Sequence, residues 1–99
     1  MEEAILIGAK PIGVYLRSLD VVFRSKNLKK AVIKARGRNI SKAVDVVEAS
    51  RNKFYRDLNL SVDNISISTE KFKKTFENDG KSEEKELSVS CIEISISRK

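Results

Sequence analysis

Ala31-Val-Ile-Lys-Ala-Arg-Gly-Arg-Asn-Ile-Ser41 carries a short apolar segment straight into basic residues grouped around a glycine. Val32, Ile33 and Ala35 suit a strand interior, and Gly37 can adopt a positive φ and turn the chain. Arg36 and Arg38 then stand at the turn, where a guanidinium offers a planar fork of donors to phosphate oxygens. The polar residues that follow open a helix whose first N–H groups also suit an anion. The segment reads as a buried strand delivering positive charge to a surface loop, and polyanion binding is the first expectation. Its bland counterpart is a charged turn whose arginines are merely solvated.

Upstream of this segment, Ala4-Ile-Leu-Ile7 is an apolar run closed by Gly8, long enough for a buried strand only. A helix is expected from about Pro11, since proline is tolerated at a helix start. Ile12, Tyr15, Leu16, Leu19, Val22 and Phe23 line one face of it through about Ser25. Lys26-Asn27 suits its end, because asparagine tolerates a left-handed cap. A second strand follows over Lys30–Arg36. Beyond Gly37, Asn39 or Ser41 is expected to cap a second helix with Ile40, Ala43, Val44, Val47 and Phe54 near one stripe.

The period changes after the second helix. Over 58–76, Ile65, Ile67 and Thr69 alternate with serines, which predicts a third strand. Asn78-Asp-Gly80 is a hairpin turn signal, Lys81–Glu86 is too charged for core, and a fourth strand returns through Leu87–Arg98. In that strand Leu87, Val89 and Cys91 hold one phase and Ile92, Ile94 and Ile96 the other. The buried side therefore switches near Cys91, through a β-bulge or a change of packing partner. The expected fold is α+β: a β-α-β-α-β-β two-layer sandwich, with a mixed four-stranded sheet, two helices on one face and a protruding hairpin arm. With 99 residues, the chain makes one domain, 1–99.

Composition narrows the function. The net charge of +6 is concentrated at the N-terminal side: residues 1–54 hold twelve Lys or Arg against five Asp or Glu, residues 55–99 eight against nine. That imbalance favours a directed positive face. The single cysteine, Cys91, rules out an intrachain disulfide and a cysteine-cluster metal site, and fits a reducing compartment. With no histidine in the chain, the usual general base and the commonest metal ligand are missing. No apolar run approaches a bilayer span, and the acidic Glu2-Glu3 start lacks the basic region of a signal peptide. The expectation is a soluble, cytoplasmic, non-enzymatic protein with no catalytic residues, no cofactor, no metal, no membrane contact and no small-molecule substrate.

Several stretches together resemble the Alba chromatin proteins of archaea: Ile7-Gly-Ala-Lys-Pro11, Val32 through Asp45, Val47-Glu48 with Arg51-Asn-Lys-Phe54, and Ile92-Glu-Ile-Ser-Ile96. The resemblance spans nearly the whole chain and weakens over 58–90. It implies a homodimer, or a heterodimer with an Alba paralogue, that coats and compacts duplex DNA without sequence specificity, with its arms in the minor grooves. It also implies RNA binding, chromosome association, and a contact between dimers at Phe54. Ala9 stands where many members carry the first lysine of a pair, which is acetylated in some of them, so regulation at that position is absent here.

The expected nucleic-acid contacts are Lys10, Arg36, Arg38, Asn39 and Lys42 on the body, and Lys71, Lys73 and Lys74 on the arm. Lys10 and Arg36 lead this set, since Pro11 fixes the lysine at a helix entrance. Asn39 is equally a helix cap, Lys34 can meet an acidic partner within the sheet, and edge-strand lysines also serve to block aggregation. Tyr15, Tyr55, Phe72 and Phe76 read as packing residues, because no paired stacking platform is evident in the sequence. The alternative function is an RNA-binding ribonucleoprotein subunit or RNA chaperone of the ribonuclease P type. More remote is a metal-dependent nuclease in which Asp20, Asp45 and Glu48 hold Mg²⁺.

Overall fold

The computed structural model describes residues 2–99. Strand β1 (Glu2–Leu6) leads into helix α1 (Ile12–Asp20), which ends in a π turn over Val21–Ser25. Strand β2 (Lys30–Arg36) passes through a 3₁₀ turn (Gly37–Asn39) into helix α2 (Ile40–Ala49), which also ends in a π turn, Ser50–Phe54. A 3₁₀ turn (Arg56–Leu58) then precedes the two long strands β3 (Ser61–Asn78) and β4 (Lys81–Ser97). The sheet order is β1-β2-β4-β3, with β1 parallel to β2 and the other neighbours antiparallel. This is the α+β, mixed four-stranded architecture expected from the sequence.

Each helix is placed by its apolar stripe. Tyr15, Leu16, Leu19, Val22 and Phe23 are buried along α1 and its π turn, as the spacing predicts. In α2 the buried stripe is Ala43, Val46, Val47 and Ser50, the i, i+3, i+4, i+7 set, while Val44 and Phe54 are exposed. Val46 thus takes the core position that the sequence reading gave to Val44. Both stripes meet a sheet face formed by Ile5, Ala31, Ile33, Ala35, Ile92, Ile94 and Ile96 in one cluster. Full burial of each large side chain there contributes about 1.5–3 kcal/mol.

The chain reversals follow local chemistry. Asn27 closes the first helix at φ 54°, as expected. Asn59 does the same at φ 51°, so β3 starts at Ser61 rather than at 58. Asp79 (φ 50°) and Gly80 (φ 74°) form the two-residue hairpin turn, whose paired positive φ values match the twist of the strands. Strand β4 begins at Lys81, well before Leu87: Lys81–Glu86 is indeed not core, but it lies on the arm, where charge does not oppose strand pairing. The arm stretches the molecule to 57 Å against 23 and 22 Å.

Neither helix receives a side-chain cap, so Asn39 and Ser41 do not cap α2: Asn39 lies in the 3₁₀ turn and Ser41 inside the helix. The phase switch at Cys91 comes from a change of packing partner. Pairing of β4 is unbroken there, and the only register shift in the β3–β4 pairing lies between Val62 and Asn64. Ile92 to Ile96 face the helices, whereas Val89 on the other face meets the Gly37 turn, a hollow lined by Arg36, Phe72 and Val89. Asp63 occupies the shift and accepts hydrogen bonds from Ser61 Oγ (3.3 Å) and Ser97 Oγ (3.0 Å).

Tyr55 ties the end of α2 to α1 by donating its hydroxyl to the Leu16 carbonyl at 2.6 Å. Burial raises its pKa above the ordinary tyrosine value, the Asp20 carboxylate adds to the rise, and the Arg24 guanidinium opposes it. Because the folded state holds this proton more tightly, the contribution is intact below about pH 10 and is lost as the pH rises beyond it. Tyr55→Phe should cost about 1 kcal/mol at neutral pH. Urea unfolding should find a smaller alkaline loss of stability in the variant than in wild type; equal losses would assign the dependence elsewhere.

Candidate nucleic-acid interface

Two loops emerge beside each other at one end of the sheet, Gly8–Lys10 before α1 and Gly37–Asn39 before α2. They are joined by Lys42, in the first turn of α2, whose Nζ donates to the Gly8 carbonyl at 2.8 Å and the Lys10 carbonyl at 3.0 Å. From the other side, the buried Tyr15 hydroxyl accepts the backbone N–H groups of Gly8 (2.8 Å) and Lys10 (3.2 Å). Four backbone groups of the first loop are therefore fixed by two side chains. Lys42, expected as a direct contact, is a positioning residue with two of its three donors engaged. Tyr15 was read from sequence only as packing; its signal was a tyrosine one helical turn after a Lys-Pro entrance, where its hydroxyl can reach back to the loop.

This clamp leaves the Lys10 side chain exposed and in no ion pair among the described residues. Arg38 is likewise exposed and unpaired. Gly37, at φ 56°, makes the turn that turns the chain from β2 into α2, and an added Cβ would approach Val89 Cγ2 to 3.3 Å. The first turns of α1 and α2 carry neither a side-chain cap nor an acidic residue. Val14 N–H already donates to the Pro11 carbonyl at 3.1 Å and Ile40 N–H to the Gly37 carbonyl, so the N–H groups that precede them in the two entrances are the ones left to an anion next to Lys10 and Arg38.

Arg36 differs from Arg38 in its surroundings: its Nη1 donates to Glu70 Oε2 at 2.9 Å, across to the base of the arm. The guanidinium is exposed but partly committed. Lys34 pairs with Glu93 at 3.3 Å, the acidic-partner reading of that residue. On the arm, strand alternation divides the three expected lysines. Lys71 and Lys73 lie on one face, and Lys74 lies on the other with Phe72 and Phe76. Phe54 is 58% exposed at the outer end of α2. Asp20 pairs with Arg24 and Glu48 with Arg51, and no metal-binding group of three acidic or sulfur ligands exists among the described residues. No helix of the described residues is long and apolar enough to cross a membrane.

Tyr15→Phe separates geometry from charge. Removing the hydroxyl leaves two loop N–H groups without their acceptor at unchanged net charge. Duplex affinity should fall severalfold, from about 1 kcal/mol of lost loop order, while the salt dependence of binding stays as in wild type. A titration of both proteins against duplex DNA at several salt concentrations checks this, and a reduced slope would refute the positioning role.

Comparison with known proteins gives one family. The Alba family model matches residues 3–69. The chain is 37% identical over 97 residues to the DNA/RNA-binding protein Alba of Picrophilus torridus, covering 98% of this chain and 97% of that protein. It is 38% identical to the DNA/RNA-binding protein Alba 1 of Archaeoglobus fulgidus over 98 residues, 99% and 98% of the two chains. The solved structure of Alba from Thermoplasma volcanium superposes with a TM-score of 0.71 at 37% identity, covering 96% of this chain and 99% of that one. ALBA1 from Trypanosoma brucei shares the fold, with a TM-score of 0.67 at 19% identity over 96% of this chain and 68% of that one.

Proposed function

The chain belongs to the Alba family, and on that premise we propose that it is a dimeric, sequence-nonspecific nucleic-acid-binding protein that coats and compacts duplex DNA on the chromosome and also binds RNA. The observation that carries this reading is the clamped pair of loops, where Lys10 and Arg38 stand unpaired beside two uncapped helix entrances. Phosphates are the ligand this arrangement suits: cations and N–H donors converge, and no element is shaped to read base edges. Arg36 and the Asn39 amide add donors beside Arg38, and Lys42 keeps one donor free. Lys71 and Lys73 extend the positive surface along one face of the arm, and Lys74 along the other.

Two apolar surfaces support assembly. Ile65 and Ile67 of β3 are 58% and 80% exposed, on the face where their β4 partners Ile94 and Ile92 are buried. The helices cover β4 and stop short of β3, so a second copy of the chain is the proposed cover, giving a homodimer or, with a paralogue, a heterodimer. Phe54 offers a separate contact between neighbouring dimers along DNA.

The test is binding to matched duplex DNA and duplex RNA across a salt series, with sedimentation to give the stoichiometry. A linear log–log dependence worth several phosphates, at about 0.9 per phosphate on B-DNA, is expected with a dimer as the binding unit. Comparable affinity for the two duplexes fits a coating protein, and a large preference for RNA would replace it with the ribonucleoprotein reading. Binding without salt dependence would overturn both.

A further inference from the structure

We propose that one face of the β3–β4 arm is a binding site for unpaired nucleic acid, with bases stacked on Phe72 and Phe76 and phosphates held by Lys74 and Lys85. The inference rests on the nucleic-acid reading above, but it gives the Lys74 face of the arm a different form of ligand and gives its two rings a role. Strand alternation puts Phe72, Lys74 and Phe76 on one face of β3, and their register partners Leu87, Lys85 and Glu83 share it. Positions 72 and 76 lie about 13 Å apart along the strand, with Lys74 between them in sequence. They remain 45% and 37% exposed.

The two cations on this face meet a ring rather than a carboxylate. Lys74 and Lys85 are direct cross-strand partners, and their ammoniums sit 5.4 and 5.8 Å from the Phe76 ring centroid. Neither is ion-paired among the described residues. Like charges directly opposite each other destabilise a strand pair, and an anion placed between them removes that repulsion. The opposite face is built differently: Lys73 meets Glu84 at 4.0 Å and faces Glu86 in register.

Aromatic faces interleaved with lysines are how single strands are held without sequence preference, since every base has a π-face and every nucleotide a phosphate. A duplex offers this surface no free base faces, so only the lysines would serve it. A protein covering the rings would have to bury two ammoniums, and a second copy of the same face would bring four together. The ligand chemistry that answers both features is a flexible polyanion with exposed aromatic bases.

The experiment compares a short oligouridylate with duplex DNA of equal length, using wild type, Phe76→Ala, Phe72→Ala/Phe76→Ala and Phe76→Trp. Each alanine should weaken oligouridylate binding between about fivefold and about 150-fold, the range of one base-stacking contact, with duplex affinity and unfolding temperature unchanged. Phe76→Trp should keep the affinity, and its indole, the sole tryptophan of the chain, should be quenched when oligouridylate is added. An unquenched indole, or equal losses on single strand and duplex, overturns the stacking site. Wild type that binds duplex but not oligouridylate overturns this inference alone, whereas wild type that binds neither overturns the proposed function as well.

Discussion

Alanine at both Lys10 and Arg38 is expected to lower duplex DNA affinity on the order of a hundredfold per bound protomer, from about 1.5 kcal/mol per charge-assisted contact. The log–log salt slope should fall by about 1.8 per bound protomer, because each lost phosphate contact removes about 0.9. These two residues carry the largest effect because their charges are uncommitted, exposed and set beside uncapped helix starts. Arg36→Ala should cost less, since Glu70 already holds that guanidinium at 2.9 Å. Glu70→Gln should therefore raise affinity by releasing Arg36. Salt titrations of the four proteins check the ranking; an unchanged slope in the double variant would remove both loops from the interface.

The ranking differs from the one read in sequence, where Lys10 and Arg36 led, and the difference shows what spacing can convey. Gly37 between two arginines marks a turn, and the φ of 56° follows from that local chemistry. Whether an arginine at the turn is free depends on a partner 34 residues away, Glu70, which only the β2-β4-β3 order brings near. Lys42 is similar: its distance of 32 residues from Lys10 hides a bond to that residue's carbonyl. The core was more legible. The stripes of α1 and the isoleucines of β4 are periodic, and periodicity is a local signal. It failed in α2 at Val44 and Val46, two apolar positions on either side of Asp45: both flank the Ala43–Val47 stripe, and the packing of the helix on the sheet decides which of them is buried. The arm was half legible: the turn at Asp79-Gly80 is written in its residues, while the extension of β4 back to Lys81 was masked by charges that a strand outside the core tolerates. The alternation that separates Lys74 from Lys71 and Lys73 is local to the strand, but which β4 residues share each face depends on the pairing register, and the shift at Asp63 is not written in the residues.

Ile65→Asp/Ile67→Asp is expected to convert the proposed dimer into a folded monomer. The two isoleucines contribute little to the monomer's own core, being largely exposed there, so the variant should keep its secondary structure. In a dimer the same positions would be sealed against a second copy, and an unpaired carboxylate taken out of water costs several kcal/mol. A loss of about 4 kcal/mol raises the dissociation constant about a thousandfold. Ser66→Lys is the control: it lies between them in sequence but on the opposite face, in register with Glu93. It should leave the dimer intact. Sedimentation over a concentration series distinguishes the three proteins. The monomeric variant carries half the loops, so its salt slope on duplex DNA should also be about half that of wild type, each lost contact removing its share of released counterions. Wild type that sediments as a monomer at every concentration would overturn the dimer and leave the exposed edge of β3 without its proposed cover. A dimeric double variant would instead move the interface to another face, with Phe54 the next apolar surface to test.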